Sequence, residues 1–394
     1  MTLRSLELFH VAVPLRKAIK HASHERTTSD NLIVRAALSD GAVGFGEGVP
    51  REYVTGETIQ TAFDTLKRFD AAQAIGSPKN FEEAVNRLKN LTLPEIEQDT
   101  RGMFGNAARC ALELALLDAF GRSFGRSVAD AVRILGEGEE ILNDRSSPVR
   151  YSGAITAESV QKERVSAWKM KIYGFHQVKI KVGVTGQNDF ERLKRLRAIL
   201  GQNMDIRIDA NEAWKIEELV DRVLPLLPFR PSALEQPVPH EEINEIAPLR
   251  AKLGVPIMLD ESLCGLPDAR RAIERKTADI FNVRLSKCGG IVPSLAMIGL
   301  AKRAGLDVQL GCHPGETGLL SAAGRHVACQ LKNLRYLEGS YDRHVLAENL
   351  TVEDPTFRYG GRAKPIEGHG LGVSVNRKAL DAMTVAREEV DFGG

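Results

Sequence analysis

The sequence predicts an α/β protein built on a (β/α)8 TIM-like barrel, with a smaller α+β domain in front of it. Three observations carry this. From residue 149 onward, short apolar runs alternate with amphipathic helical stretches, the pattern of parallel βα units, and eight such units can be counted. Before residue 135 the order differs, with strands first and helices after, which describes an α+β domain. A length of 394 residues exceeds one ordinary compact domain and suits a barrel with a second domain. The expected division is 1–135 for the first domain, 149–345 for the barrel and 346–394 for a segment that completes both.

Residues 1–48 alternate as strands do, and 32–38, a turn at Ser39-Asp40-Gly41, and 42–45 read as a hairpin. From 58 to 132 the period becomes helical, most clearly where Ala107, Cys110, Ala111, Leu114 and Leu117 recur three or four apart, and three helices fit there. A polar stretch, 136–147, separates this part from the barrel. The barrel strands are expected at 149–153, 177–181, 205–209, 233–235, 257–260, 280–284, 307–310 and 335–338.

In the second of these, alternation puts Lys179 and Lys181 on one face and Val178, Ile180 and Val182 on the other. Each ammonium disfavours protonation of its neighbour, which lowers a lysine towards use as a base. An exposed edge strand with solubilising lysines reads the same way in isolation. The rest of the barrel argues otherwise. After Lys181, charged residues recur at the ends of the apolar runs: Asp209, Glu235, Asp260, Lys287, His313 and Glu338, at steps of 25–28 residues, about one βα unit each. Strand C-termini form the active-site face of such a barrel, so the series converges on one mouth.

Asp209, Glu235 and Asp260 stand on consecutive strands. Singly, each reads as a turn or capping residue, but three carboxylates facing one point repel without a cation. Hard oxygen donors with no His or Cys among them favour Mg²⁺, with Mn²⁺ as the alternative. Lys181 and Lys287 flank the trio on the strands before and after, so two bases face one substrate carbon. Lys287 taken alone also reads as a solvated loop lysine, and Gly289-Gly290 after it would let the backbone approach a ligand.

Composition excludes other classes. The 53 basic and 52 acidic residues nearly cancel, so no nucleic-acid or acidic-membrane partner is indicated. No apolar run approaches a membrane span and the first residues lack a signal-peptide pattern, so a cytoplasmic protein is expected. Five cysteines, odd in number and without C-x-x-C, indicate neither a disulfide framework nor a zinc site.

The motifs Lys179-x-Lys181, Asp209-Ala210-Asn211, Glu235-Gln236-Pro237, Asp260-Glu261-Ser262 and Lys287-Cys288-Gly289-Gly290 resemble those of the enolase superfamily, specifically its muconate lactonizing enzyme subgroup. Gly46-Glu47-Gly48, the run Tyr53-Val54-Thr55-Gly56-Glu57-Thr58 and the helix from Ala111 to Asp118 look like the capping domain that closes the barrel there. The resemblance implies a modified, enolase-type barrel and an Mg²⁺-dependent isomerase that removes the proton next to a substrate carboxylate to give a metal-stabilised enolate. By that match Asp209, Glu235 and Asp260 bind the metal, and Lys181 and Lys287 act as acid and base. Lys179 lowers the pKa of Lys181 and touches the substrate carboxylate, while Asn211 and Glu261 orient ligands and lysines. The outcome is cycloisomerisation, or racemisation or epimerisation. A lyase of the o-succinylbenzoate synthase type uses the same residues, and an inactive scaffold is a third reading. The partner is a small carboxylate, and barrels of this family generally self-associate.

Departures from the pattern bear on substrate. Dipeptide epimerases typically show Asp-x-Asp at the eighth strand, where this chain has Glu338-Gly339-Ser340. His313 stands where an apolar residue is more usual and Glu316 is displaced by one position, so His313 is expected to contact substrate and to leave the base role to Lys287. A first cap loop at 17–30 holds Lys17, Lys20, His21, His24 and Arg26; such a charge run also reads as a solvated face, but in the family it resembles this loop folds over the substrate, which implies an anionic distal group.

Overall fold

Strands β1 (Leu3–Lys20), β2 (Glu25–Leu38) and β3 (Val43–Gly48) form an antiparallel sheet, and a last strand, β14 (Thr384–Asp391), joins its outer edge beside β1. The computed structural model describes residues 1–20, 25–94, 103, 105–136, 141–156 and 159–393. The expected hairpin is present, with the Leu38 N–H donating to the Ala42 carbonyl at 2.9 Å and the Asp40 carboxylate accepting from the Ala42 N–H at 3.1 Å. The expected loop at 17–30 is mostly strand, since Lys17 lies on β1 and Arg26 on β2, while His21 and His24 lie outside the described residues.

Alternation in β3 divides its work. Gly44, Gly46 and Gly48 face the helix Asn106–Phe124, whose Ala107, Ala111, Ala115 and Ala119 recur every fourth residue. A Cβ at Gly46 would stand 2.0 Å from the Ala111 carbonyl oxygen, so backbone lies directly on backbone. Glu47 points the other way, into the barrel domain. Its carboxylate accepts from the Thr317 N–H at 2.9 Å, the Thr317 hydroxyl at 2.7 Å and the Leu320 N–H at 3.0 Å, at the start of the helix Gly318–Gln330. Anionic groups are favoured there because the first turn of a helix has unbonded N–H donors.

Where three helices were expected, the described residues from 58 to 135 hold five: Ile59–Arg68, Ala71–Ile75, Phe81–Lys89, Asn106–Phe124 and Val128–Leu135. The chain is cut into short helices by its own caps. Thr58, Asp70 and Asn80 each accept a backbone N–H three residues on.

The barrel sheet is parallel and ordered in sequence: β5 (Gly153–Ile155), β6 (Gln177–Lys181), β7 (Asp205–Asp209), β8 (Pro231–Glu235), β9 (Ile257–Leu259), β10 (Ile280–Val283), β11 (Asp307–Leu310) and β12 (Tyr336–Leu337). Its two edges meet at Ser152, whose N–H and hydroxyl both donate to the Leu337 carbonyl, at 2.9 and 2.7 Å. The first strand begins later than expected. Val149–Arg150 forms a separate strand, β4, antiparallel to β13 (Arg362–Ala363), because the C-terminal segment runs beside it and the Gly361 carbonyl takes the Tyr151 N–H at 2.7 Å. Among the described residues no helix is long and apolar enough to cross a membrane.

Candidate active site

In-register parallel pairing puts Lys181 opposite Asp209 and Asp209 opposite Glu235, at the ends of β6, β7 and β8. Asp260 follows β9 directly. The chain turns sharply after the carboxylates, and Asn211, Glu212 and Gln236 hold positive φ of 43°, 65° and 33°. Such strain persists only where surroundings over-determine it. Gln236 is one of those restraints: its side chain accepts the Asp260 N–H at 3.0 Å and donates to the Ser262 hydroxyl at 2.6 Å, tying two carboxylate loops together.

Cations sit among the carboxylates. The Lys179 ammonium lies 3.2 Å from Asp209, 3.5 Å from Glu235 and 3.1 Å from Glu338. Arg284 pairs with Asp260 and stands 3.7 Å from Glu235. Lys287, only 1 % exposed, donates to the Asp260 carbonyl at 2.6 Å, the Asp260 carboxylate at 2.7 Å and the Asn282 carbonyl at 3.0 Å. Asn282 donates to one Glu235 oxygen at 2.8 Å, and the other Glu235 oxygen, Oε2, is buried with no hydrogen-bond partner among the described residues.

Burial pushes Lys181 below its ordinary value; Asp209 opposes the shift and Lys179 adds to it, so the expected like-charge effect is present but secondary. Burial also lowers Lys287. Burial would lower Lys179 too, but the charges of Glu235, Glu338 and Asp209 outweigh it and hold the ammonium firmly protonated. Burial raises Glu235, with Asp209 adding to the shift, and brings Glu261 up to about 7. Glu338 is the opposite case. Burial would raise it, yet Lys179 and Arg207 bring it down to about 2.

No three His, Cys, Asp or Glu side chains of the described residues close on one point as a formed metal centre, since Lys179, Arg284, Asn282 and Lys287 engage the carboxylate oxygens. The donor chemistry nevertheless fits a hard divalent cation: Asp209, Glu235 and Asp260 offer only carboxylate oxygens, and Glu235 Oε2 is an orphaned buried acceptor aimed at no protein donor.

The other expected residues divide. Asn211 donates to Glu261 at 3.2 Å, so those two meet as expected. Glu338 serves Lys179 and Arg207. Glu316 accepts the His313 backbone N–H at 2.6 Å, and burial raises it to about 8. His313 is 3 % exposed, with neither ring nitrogen bonded among the described residues. The glycines after Lys287 serve a different neighbour from the expected ligand: a Cβ at Gly290 would stand 2.6 Å from the Glu113 carboxylate, and Asn106 donates to the Lys287 carbonyl at 2.7 Å. They admit the Asn106 helix. Arg207, Asn282 and Arg284 were missed. Their signal was the same alternation that singled out Lys179 and Lys181, since Arg207 lies two before Asp209 and Asn282 two before Arg284.

Residues 3–132 match the family model described as the mandelate racemase / muconate lactonizing enzyme N-terminal domain, and residues 162–379 match the enolase C-terminal domain-like model. The chain belongs to the enolase superfamily, in its muconate lactonizing enzyme subgroup. The N-succinyl-L-Arg/Lys racemase of Bacillus cereus is 28% identical over 99% of this enolase-superfamily chain and 100% of its own length, and its crystal structure superposes with a TM-score of 0.83. A dipeptide epimerase from Cytophaga hutchinsonii, solved with Mg and the dipeptide D-Ala-L-Val, is 25% identical over 99% of this chain and 100% of its own, with a TM-score of 0.83. Muconate cycloisomerase 1 of Rhodococcus opacus is 28% identical over 98% of this chain and 99% of its own. This member of the superfamily is an isomerase.

Proposed function

We propose that the protein is a cytoplasmic, Mg²⁺-dependent racemase or epimerase that exchanges the proton α to a substrate carboxylate. The observation that carries the reading is the placement of Lys181 and Lys287 on either side of three carboxylates presented by consecutive strands. Asp209, Glu235 and Asp260 would hold the cation, which when bound offsets negative charge gathering on the substrate carboxylate as the α-proton leaves. Lys181, half-buried and shifted down, takes the proton on one face, and Lys287 delivers one on the other. Asn282, Arg284 and Lys179 hold the carboxylates at the mouth and would give up oxygens to the cation as it binds.

An N-acylated amino acid suits the eighth strand better than a free dipeptide. Glu338 is committed to Lys179 and Arg207, and Ser340 contacts Arg325 and Tyr151, so that strand offers no spare carboxylate for an ammonium. Self-association, which the resemblance implies, belongs to the same proposal and is read by light scattering.

The test is ¹H NMR of the protein with Mg²⁺ in D₂O against N-acyl amino acids, dipeptides and cis,cis-muconate. Loss of the α-proton signal with deuterium in both enantiomers is expected. Lactone formation from muconate without amino-acid exchange would make the enzyme a cycloisomerase, and a product lighter by one water would make it a lyase.

A further inference from the structure

Lys287 sits on a single helical turn, Leu285–Cys288, that is too short to hold its own shape. One turn nucleates poorly, and its last carbonyls have no donors within the helix. Here the donors come from the cap. The side-chain amide of Asn106, the first residue of the cap helix Asn106–Phe124, gives one hydrogen to the Lys287 carbonyl at 2.7 Å and the other to the Cys264 carbonyl at 2.8 Å. Arg109, one helical turn on, donates to the Gly289 carbonyl, and the Val49 N–H donates to the Ser286 hydroxyl at 2.7 Å. Glu113, fully buried on the same helix and paired with Arg109 at 2.5 Å, accepts the Ile291 and Val292 N–H groups just beyond.

Asn106 thereby ties two barrel loops together. Cys264 closes the loop that starts at Asp260, and the Lys287 ammonium reaches back to the Asp260 carbonyl and carboxylate. The fit is close, since a Cβ at Gly289, which holds φ of 89°, would stand 3.1 Å from the Asn106 side-chain oxygen. Lys181 is supported in another way. It ends β6, which is paired with β5 on one side and β7 on the other, inside the barrel sheet. The two lysines therefore rest on different supports, Lys181 on the sheet and Lys287 on barrel and cap together.

We propose that Asn106 is a positioning residue for Lys287, so that the cap sets proton transfer on one face of the substrate carbon and leaves the other face to the barrel. The inference rests on the two-lysine exchange proposed above. An amide suits the place because its NH₂ carries two donors for two carbonyls, which a hydroxyl or a carboxylate lacks. The effect reaches the chemistry through distance. A catalytic group displaced by about 1 Å can lose about a hundredfold in rate, and the Lys287 ammonium follows the backbone that Asn106 holds.

The test is Asn106→Asp, which keeps the size, favours the start of the helix by its negative charge, and turns two hydrogen bonds into repulsions. Asn106→Ala removes the bonds without adding charge and serves should the aspartate variant misfold. Each enantiomer of an N-acyl amino acid that the unaltered protein exchanges is followed separately by ¹H NMR in D₂O with Mg²⁺. The enantiomer facing Lys287 is the one whose α-proton loss is slowed in Lys287→Ala. In the Asn106 variants its loss is expected to fall about tenfold to a hundredfold, while the other enantiomer stays within about twofold and inverts less often. A general loosening of the site would slow both alike. An equal fall for both enantiomers, or no change in either, overturns the assignment. If the unaltered protein exchanges no α-proton in any compound of the panel, the proposed function fails by itself and Asn106 is judged by amide hydrogen exchange. Faster exchange over 285–292 with 177–183 unchanged supports the clamp; unchanged protection of 285–292, or equal loosening of both segments, overturns it.

Discussion

Replacing Lys287 by alanine separates its proposed chemical role from its structural one. The ammonium gives its three hydrogens to the Asp260 carbonyl, the Asp260 carboxylate and the Asn282 carbonyl, all within 3.0 Å. Breaking a buried ion pair by removing one partner costs about 3–5 kcal/mol, but here Arg284 still answers Asp260 and water can enter the space the side chain leaves. The expected loss of stability is therefore about 2–4 kcal/mol, read from urea unfolding. Loss of one general acid–base group lowers racemisation by about 10²–10⁴-fold. The two effects have different signatures. With Lys181 intact, one enantiomer should still wash its α-proton into D₂O without inverting, and Lys181→Ala should show the same for the other enantiomer. Racemisation retained in Lys287→Ala, or exchange in that variant falling equally for both enantiomers, would refute the two-lysine assignment.

Other outcomes follow from single contacts. Glu47→Gln puts an amide where a carboxylate takes two N–H groups and a hydroxyl from Thr317 and Leu320, so a loss of about 2–4 kcal/mol and a raised KM are expected, checked by guanidinium unfolding and steady-state kinetics. Burial lowers His326 from 6.5 to about 4 while its Nε2–H donates to the Leu371 carbonyl. The unfolded chain thus binds the extra proton between those values. Stability from this group is complete above pH 6.5 and falls by about 3 kcal/mol as pH drops to 4, a slope that His326→Gln should remove. Mg²⁺ at about a hundred times its Kd should stabilise the fold by about 2.7 kcal/mol, measured as a rise in Tm that EDTA reverses and Asp209→Asn abolishes.

Much of the site was legible because a parallel barrel repeats one unit. Each βα step consumes a similar length of chain, so residues doing one job on successive strands recur at 25–28 positions, and the ladder then sets Lys181, Asp209 and Glu235 side by side. The helix count and the first barrel strand were less legible for a local reason and a distant one. Caps at Thr58, Asp70 and Asn80 cut one periodic stretch into pieces, and the strand near 150 was claimed by residues 361–363, two hundred positions away.

The buried cations were harder to read, because their reason lies wholly in other strands. Arg207 in D-I-R-I-D and Arg284 in I-F-N-V-R look like surface residues of half-buried strands when each run is taken alone. A fully buried arginine is normally rejected, since losing its hydration outweighs what an apolar strand returns. That judgement reverses once the carboxylates are placed. Glu338 faces Arg207, and Asp260 with Glu235 faces Arg284, so each cation sits where its absence would leave an acid buried and unpaired.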